Sequence, residues 1–354
     1  MFVWVYDIGI VRAGPILGFL VAATVLAELS DRAGVFDVAA TACARLARGR
    51  TPVLFLLVAA LATGVTIGMG LDTTAVLLTP VVLAATQRLG LRAMPFAIVV
   101  IWLANTASLL LPVSNLTNLL ALQHANLATT TFAKQMALPE LAAVVVTVGY
   151  LGVWYRRDLT GRYPVPQPAL PGDRTAFTVC AIACAALGPA VLAGVAPWLA
   201  ATVCAVPALA VFVVRQRKAL QPSLFPWRLV LLTEALFLTV GALTHLGLAH
   251  VIARLIGDSA LSATVVAAVS SNLVNNLPAY LAIEPAVSHD QLFATLLGTN
   301  AGPLILMWGS LATLLWADRC RARGIRVSPV RFAMLGLGGV PLVLLAATWA
   351  GSVW

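Results

Sequence analysis

Four short stretches of an otherwise oily sequence carry side chains able to hold a small polar solute. They are GLDTTAVLLTPVV (70–82), NTASLLLPVSNLTNLL (105–120), SSNLVNNLPA (270–279) and GTNAGPLILMWGSLATLLW (298–316). The first supplies Asp72, Thr73 and Thr74, and the second Asn105, Thr106, Ser108, Ser114, Asn115, Thr117 and Asn118. The third supplies Ser270, Ser271, Asn272, Asn275 and Asn276, and the fourth Thr299, Asn300 and Ser310. Amides and hydroxyls both donate and accept hydrogen bonds, so these clusters can replace the water around a solute. Asp72 adds an ionisable group. A carboxylate at membrane depth costs roughly 2.5–3.5 kcal/mol on insertion scales, which makes it a candidate for taking up and releasing a proton. Its structural alternative is a cap, because Asp before Thr-Thr and an apolar run is also a helix start. Glu234, within LLTEALFL, is read as the other acid at membrane depth, open to proton coupling or to pairing and packing.

The elements that must position these groups are membrane helices. Of 354 residues 61% are hydrophobic and 10% charged, against roughly 45–50% and 25% in soluble domains. Eight crossings are expected near 13–30, 93–126, 138–155, 175–194, 196–214, 227–247, 290–318 and 329–350, each able to span a core about 30 Å thick. Segments 51–90 and 259–288 do not fit one crossing each and read as re-entrant hairpins. The opening stretch MFVWVYDIGIVRAG lacks the basic start of a cleavable signal. With both hairpins re-entrant, Arg12, Lys134 and Arg254 fall on one side and the remaining Lys and Arg on the other, clustered as RLARGR, YRRDLTGR, RQRK and DRCRARGIR. The positive-inside rule makes the second side cytoplasmic, with both termini outside, and the cell's inner (plasma) membrane is the expected location. The net charge of +9 is thereby topological, which argues against nucleic acid as a partner.

The same order of parts occurs twice: a crossing, a short amphipathic stretch, a hairpin, a long crossing broken at its middle, and a plain crossing. The expected fold is an all-α polytopic membrane protein, an inverted repeat with two re-entrant hairpins and two broken helices. Its parts are a first repeat over 1–158, linking helices and cytoplasmic loops over 159–226, and a second repeat over 227–354, in one integral membrane domain. Inverted repeats with interrupted helices place a binding site at mid-membrane, where irregular backbone must face protein or a wet cavity.

At these four stretches the sequence resembles the arsenical pump membrane protein family, the arsenite and antimonite efflux permeases of the ion transporter superfamily. The resemblance implies an elevator-type secondary carrier that exports As(OH)3 or Sb(OH)3 in exchange for protons. It also implies a homodimer and a cytoplasmic ATPase subunit as candidate partners. Members of that family begin with two further helices and often carry Asp at the positions of Asn105 and Asn300. As(OH)3 is an uncharged triol, and no Lys or Arg lies near the four clusters, which favours a neutral solute or a small cation over a dianion. A sodium/proton antiporter or a silicic acid or anion carrier of the same superfamily is the alternative. A channel would want a ring of charges or carbonyls around an open axis, and no enzyme motif or cofactor-binding pattern is present. Cys180 and Cys184 share a helix face as small packing residues rather than an arsenic thiolate pair. His245 and His250 lack ligand partners in register, so no metal site is read.

Overall fold

The computed structural model describes residues 13–245, 248–257 and 259–352. The opening stretch 1–12 and the side chains of His245 and His250 lie outside the described residues. The described chain is helical, with no β-strand among the described residues. In order the helices are α1 (Ala13–Arg32), α2 (Val35–Leu46), α3 (Thr51–Met69), α4 (71–88), α5 (Ala93–Thr106), α6 (Leu116–Ala125), α7 (Thr129–Trp154), α8 (Arg174–Leu192) and α9 (Pro197–Arg215). There follow α10 (Trp227–His245), α11 (Leu248–Ile256), α12 (Ala260–Val274), α13 (Asn276–Ile283), α14 (His289–Ala301), α15 (Leu311–Ala322) and α16 (Pro329–Gly351).

Six described helices, α1, α3, α7, α8, α9 and α16, are long and apolar enough to cross a bilayer. Their outward faces carry Leu141, Val145, Val206 and Leu342, each at least half exposed, as lipid-facing helices require and water-facing ones rarely tolerate. The expected crossings at 93–126 and 290–318 are each two half-helices, α5 with α6 and α14 with α15, parted by irregular backbone over 107–115 and 302–310.

Both expected hairpins turn where the sequence puts them. The first reverses at Gly70, between α3 and α4. Although α3 is long enough to cross, α2 packs both on it and on the last part of α4, so the two limbs end beside one helix. The second reverses at Asn275, and α11 packs on both of its limbs, α12 and α13. Gly70 (φ 92, ψ 163) and Asn275 (φ 87, ψ 154) share a backbone conformation reserved almost wholly for glycine. At Gly70 a Cβ would stand 3.2 Å from the Val113 carbonyl oxygen, so the tip also lies against the first break.

In the second half α12 packs most extensively on α14. A Cβ on Gly298 would lie 2.2 Å from the Thr264 carbonyl oxygen and 2.6 Å from the Ala267 Cβ. One turn on, a Cβ on Gly302 would meet the Ala268 Cβ at 2.5 Å. This small-xxx-small seam lets backbones approach where no hydrophobic force draws helices together. Gly298→Ala should therefore lower stability by about 1–3 kcal/mol, read as a lowered Tm in detergent, and should disturb the second break that Gly302 begins.

The linking helices α8 and α9 pack on each other and on α1. Asp173 ties their ends together: Oδ1 accepts from the Thr175 and Ala176 amides, capping α8, and Oδ2 accepts from Arg215 Nε at 2.7 Å. The Arg215 side chain holds the Asp173 carboxyl down to about 2, aided by those two amides. A depressed carboxylate stabilises the fold above its unfolded value of 3.8 and ceases to as pH falls from there to about 2. Asp173→Asn should thus melt below the wild type at neutral pH, the difference closing only when scans are run in that acid window.

Candidate functional site

The irregular backbone of the two breaks and the two hairpin tips meets at one place. Asp72 of α4, Asn115 at the start of α6, Asn275 and Asn276 at the second tip and Ser310 at the start of α15 line one cavity of about 260 Å³. Thr233 and leucines of α10 close its side. Asp72 is the one charged side chain in the lining.

Each of the four polar segments ends at the cavity as a helix N-terminus. Gly70, Asn115, Asn275 and Ser310 hold the N-cap positions of the helices that begin α4, α6, α13 and α15. N-termini present unpaired amide hydrogens and the positive end of the helix dipole, which suits oxygen atoms of a ligand. Asn115 caps α6 through its own side chain, Oδ1 accepting from the Thr117 amide at 3.3 Å. Ser310, at the matching place in the second break, makes no such bond, and its buried Oγ has no partner among the described residues. It is free for a bound solute. Asp72 makes no capping bond: the cap position belongs to Gly70, and Asp72 sits in the first turn of α4. The returning helix starts where the sequence puts it, with Gly70 rather than Asp72 at the cap position.

The other expected site residues do not line the cavity; most are spent on carbonyls of their own helices, of the tips or of the breaks. Thr73 donates to the Met69 carbonyl, Thr74 pairs with Thr66 at 2.8 Å, Thr106 donates to the Trp102 carbonyl, and Ser108 to the Asn105 carbonyl. Ser114 donates to the Ile67 carbonyl at 3.0 Å, fixing the first tip to the first break. Ser271 donates to the Ala267 carbonyl and Thr299 to the Thr295 carbonyl. Ser270 is half-buried on α12, away from the cavity lining. Asn105 donates to the Ile101 carbonyl and leaves Oδ1 buried without a partner among the described residues.

Two amides act as hubs. Asn300 joins the breaks: Nδ2 donates to Asn118 Oδ1 at 2.7 Å and to the Ser108 carbonyl at 3.3 Å, while Oδ1 accepts from Thr117 Oγ1 at 2.7 Å. Asn118 in turn donates to the Ser108 and Leu111 carbonyls. Asn272 serves the second break, accepting from the Ile305 and Leu306 amides at 3.2 and 2.8 Å and donating to the Gly302 carbonyl at 2.8 Å. Buried backbone groups must find such partners.

The first break is served by a residue outside the four polar stretches. Glu140 of α7 is 4% exposed, and its Oε2 accepts from the Leu109 amide at 2.8 Å and the Leu110 amide at 2.5 Å. The available signal was an acid within an apolar helical run, immediately after Pro139. Glu234, by contrast, neighbours Thr233 but does not line the cavity, and its Oε2 is buried without a partner among the described residues. Cys184 contacts Ser30 at 3.0 Å, and neither it nor Cys180 lines the cavity.

A family model described as "Citrate transporter" matches residues 7–313. The chain is 28% identical over 341 residues to the arsenical pump membrane proteins of Yersinia enterocolitica and Escherichia coli K12, an alignment spanning 87% of this chain and 79% of each relative. Its fold is similar to that of the Alcanivorax borkumensis YdaH transporter, with a TM-score of 0.60 and 15% identity over 99% of this chain and 87% of that one. The matches are to transporters rather than enzymes. This chain is a multi-pass membrane transporter, and it belongs to the citrate transporter family of the ion transporter superfamily.

Proposed function

We propose that the protein is a secondary carrier of the inner membrane that exports arsenite or antimonite as the neutral trihydroxide, M(OH)3, in exchange for protons. The observation that carries this reading is the cavity lining, in which amides, two hydroxyls and four helix N-termini surround one carboxyl and no Lys or Arg. A triol both donates and accepts: its oxygens can accept from N-terminal amides, and its hydroxyls can donate to Asn oxygens, to Ser310 and to Asp72. The names of the bacterial relatives, arsenical pump membrane proteins, support the same solute. In this reading the two sets, α1–α7 and α10–α16, are inverted across the bilayer, and the hairpins are re-entrant from opposite sides. A homodimer and a cytoplasmic ATPase subunit are its candidate partners.

A second reading, an anion carrier, is favoured by those four N-termini, because helix dipoles can stand in for a cation. Absence of Lys and Arg therefore does not by itself dismiss a carboxylate solute, and the family model's description names citrate. Asp72 weighs against it, since a polyanion would have to settle beside a carboxylate. Reconstituted protein in liposomes decides between them. Arsenite should move with a pH gradient and be arrested by a protonophore, and citrate should neither move nor compete. Citrate transport without arsenite transport would establish the second reading, and sodium-driven flux the antiporter alternative.

A further inference from the structure

Away from the cavity, a trough of about 730 Å³ runs between α3 and the last turns of α7. Its upper wall is apolar: Gly149 and Gly152 stand on α7 facing Phe55 and Leu56, and a Cβ on Gly149 would meet nothing within 4 Å. Leu56 and Val153 along it are 55% and 68% exposed. Immediately beyond, α7 ends in Trp154 and Tyr155 followed by Arg156, the aromatic-then-basic order that marks the boundary between hydrocarbon and headgroups.

The lower rim is basic, and the backbone forces it to be. Arg50 and Arg162 sit directly opposite each other in an antiparallel bridge. It is pinned by the Thr51 amide donating to the Gly161 carbonyl at 3.3 Å and the Tyr163 amide to the Gly49 carbonyl at 2.9 Å. The Tyr163 hydroxyl adds a bond to the Ala44 carbonyl at 2.7 Å. Like charges held opposite one another are destabilising. Three exposed arginines elsewhere are matched, Arg92 by Asp158, Arg215 by Asp173 and Arg321 by Asp318; what sets this rim apart is three unmatched arginines lining one trough. Arg50, Arg156 and Arg162 have no carboxylate within ion-pair distance among the described residues.

We propose that this trough is a binding site for one anionic phospholipid, its phosphate held by Arg50, Arg156 and Arg162 and an acyl chain lying along Gly149 and Gly152. Basic pockets between membrane helices recognise anionic headgroups in this way. A second copy of the chain is a poorer occupant, because a two-fold contact through this face would set arginines against arginines. The bound lipid would clamp the loop at 159–163 to the start of α3, and α3 carries the first hairpin tip at its other end.

Native mass spectrometry of the full chain in mild detergent tests this, with phosphatidylglycerol and phosphatidylcholine of matched acyl chains added in equal amounts. The wild type should retain phosphatidylglycerol about tenfold or more over phosphatidylcholine. The triple variant Arg50→Gln, Arg156→Gln, Arg162→Gln should bring that ratio near one. Gly149→Leu fills open space and keeps every charge, and should still cut phosphatidylglycerol retention several-fold. Equal retention of the two lipids by the wild type would overturn the proposal. A retained adduct in Gly149→Leu would overturn it too, by pointing to a free surface anion. So would efficient disulfide cross-linking of two copies through Gly149→Cys, which would assign the trough to a protein interface.

Discussion

Replacing Asp72 with Asn should abolish uphill export of arsenite while leaving exchange and downhill flux partly intact. Export of a neutral solute against its gradient needs an ion moving inward, and Asp72 is the one charged side chain in the cavity. It sits in the first turn of the returning limb and makes no capping bond, so the amide should leave the tip folded. Protonated, the tip is neutral and cheap to carry through the membrane; ionised, it is not. A membrane potential of ~100 mV supplies about 2.3 kcal/mol per charge, enough for roughly fifty-fold accumulation, and this is the factor the variant should lose. Proteoliposomes loaded with arsenite and given a pH gradient provide the measurement, with counterflow as the control for binding. Should Asp72→Asn still build a gradient that a protonophore collapses, the proton travels elsewhere. Glu234 is then a weaker successor than sequence alone implied, because it lies off the cavity.

Much of the arrangement was legible because polar clusters in apolar runs are costly and so mark irregular backbone. Both tips fall inside the quoted stretches, at Gly70 and Asn275, and both breaks begin where α5 and α14 end, at Thr106 and Ala301. The division of labour among those residues was not legible. Asn115 and Asn118 are three residues apart and chemically identical, yet Asn115 lines the cavity and Asn118 is spent on the Ser108 and Leu111 carbonyls. Which amide faces the cavity and which meets backbone depends on the path of the break, and nothing local in the sequence encodes that path. The same holds between the repeats: Asn272 serves the second break from within its own hairpin, whereas the first break draws its acceptor from α7, far along the chain. Spacing within a motif cannot reveal a partner that the motif does not contain.

That distant acceptor sets the second large effect. Glu140→Ala should destabilise the protein by about 2–6 kcal/mol, since it leaves the Leu109 and Leu110 amides buried without partners at about 1–3 kcal/mol each. Glu140→Gln keeps an acceptor of the same shape and loses only the charge-assisted part of two hydrogen bonds, so its Tm in detergent should lie between those of Ala and wild type. Transport separates the two roles that a buried carboxylate at this position can have. The first break carries Asn115 to the cavity, and Glu140 grips the backbone five and six residues upstream. A grip that is purely positional should be restored by Gln, with arsenite affinity near the wild-type value and proton-driven accumulation intact. If Gln instead folds, binds arsenite and fails to accumulate it, the charge itself is needed, and Glu140 joins Asp72 as a candidate proton site. Full activity and an unchanged Tm in Glu140→Ala would show that the Leu109 and Leu110 amides find other partners, and would remove Glu140 from both roles.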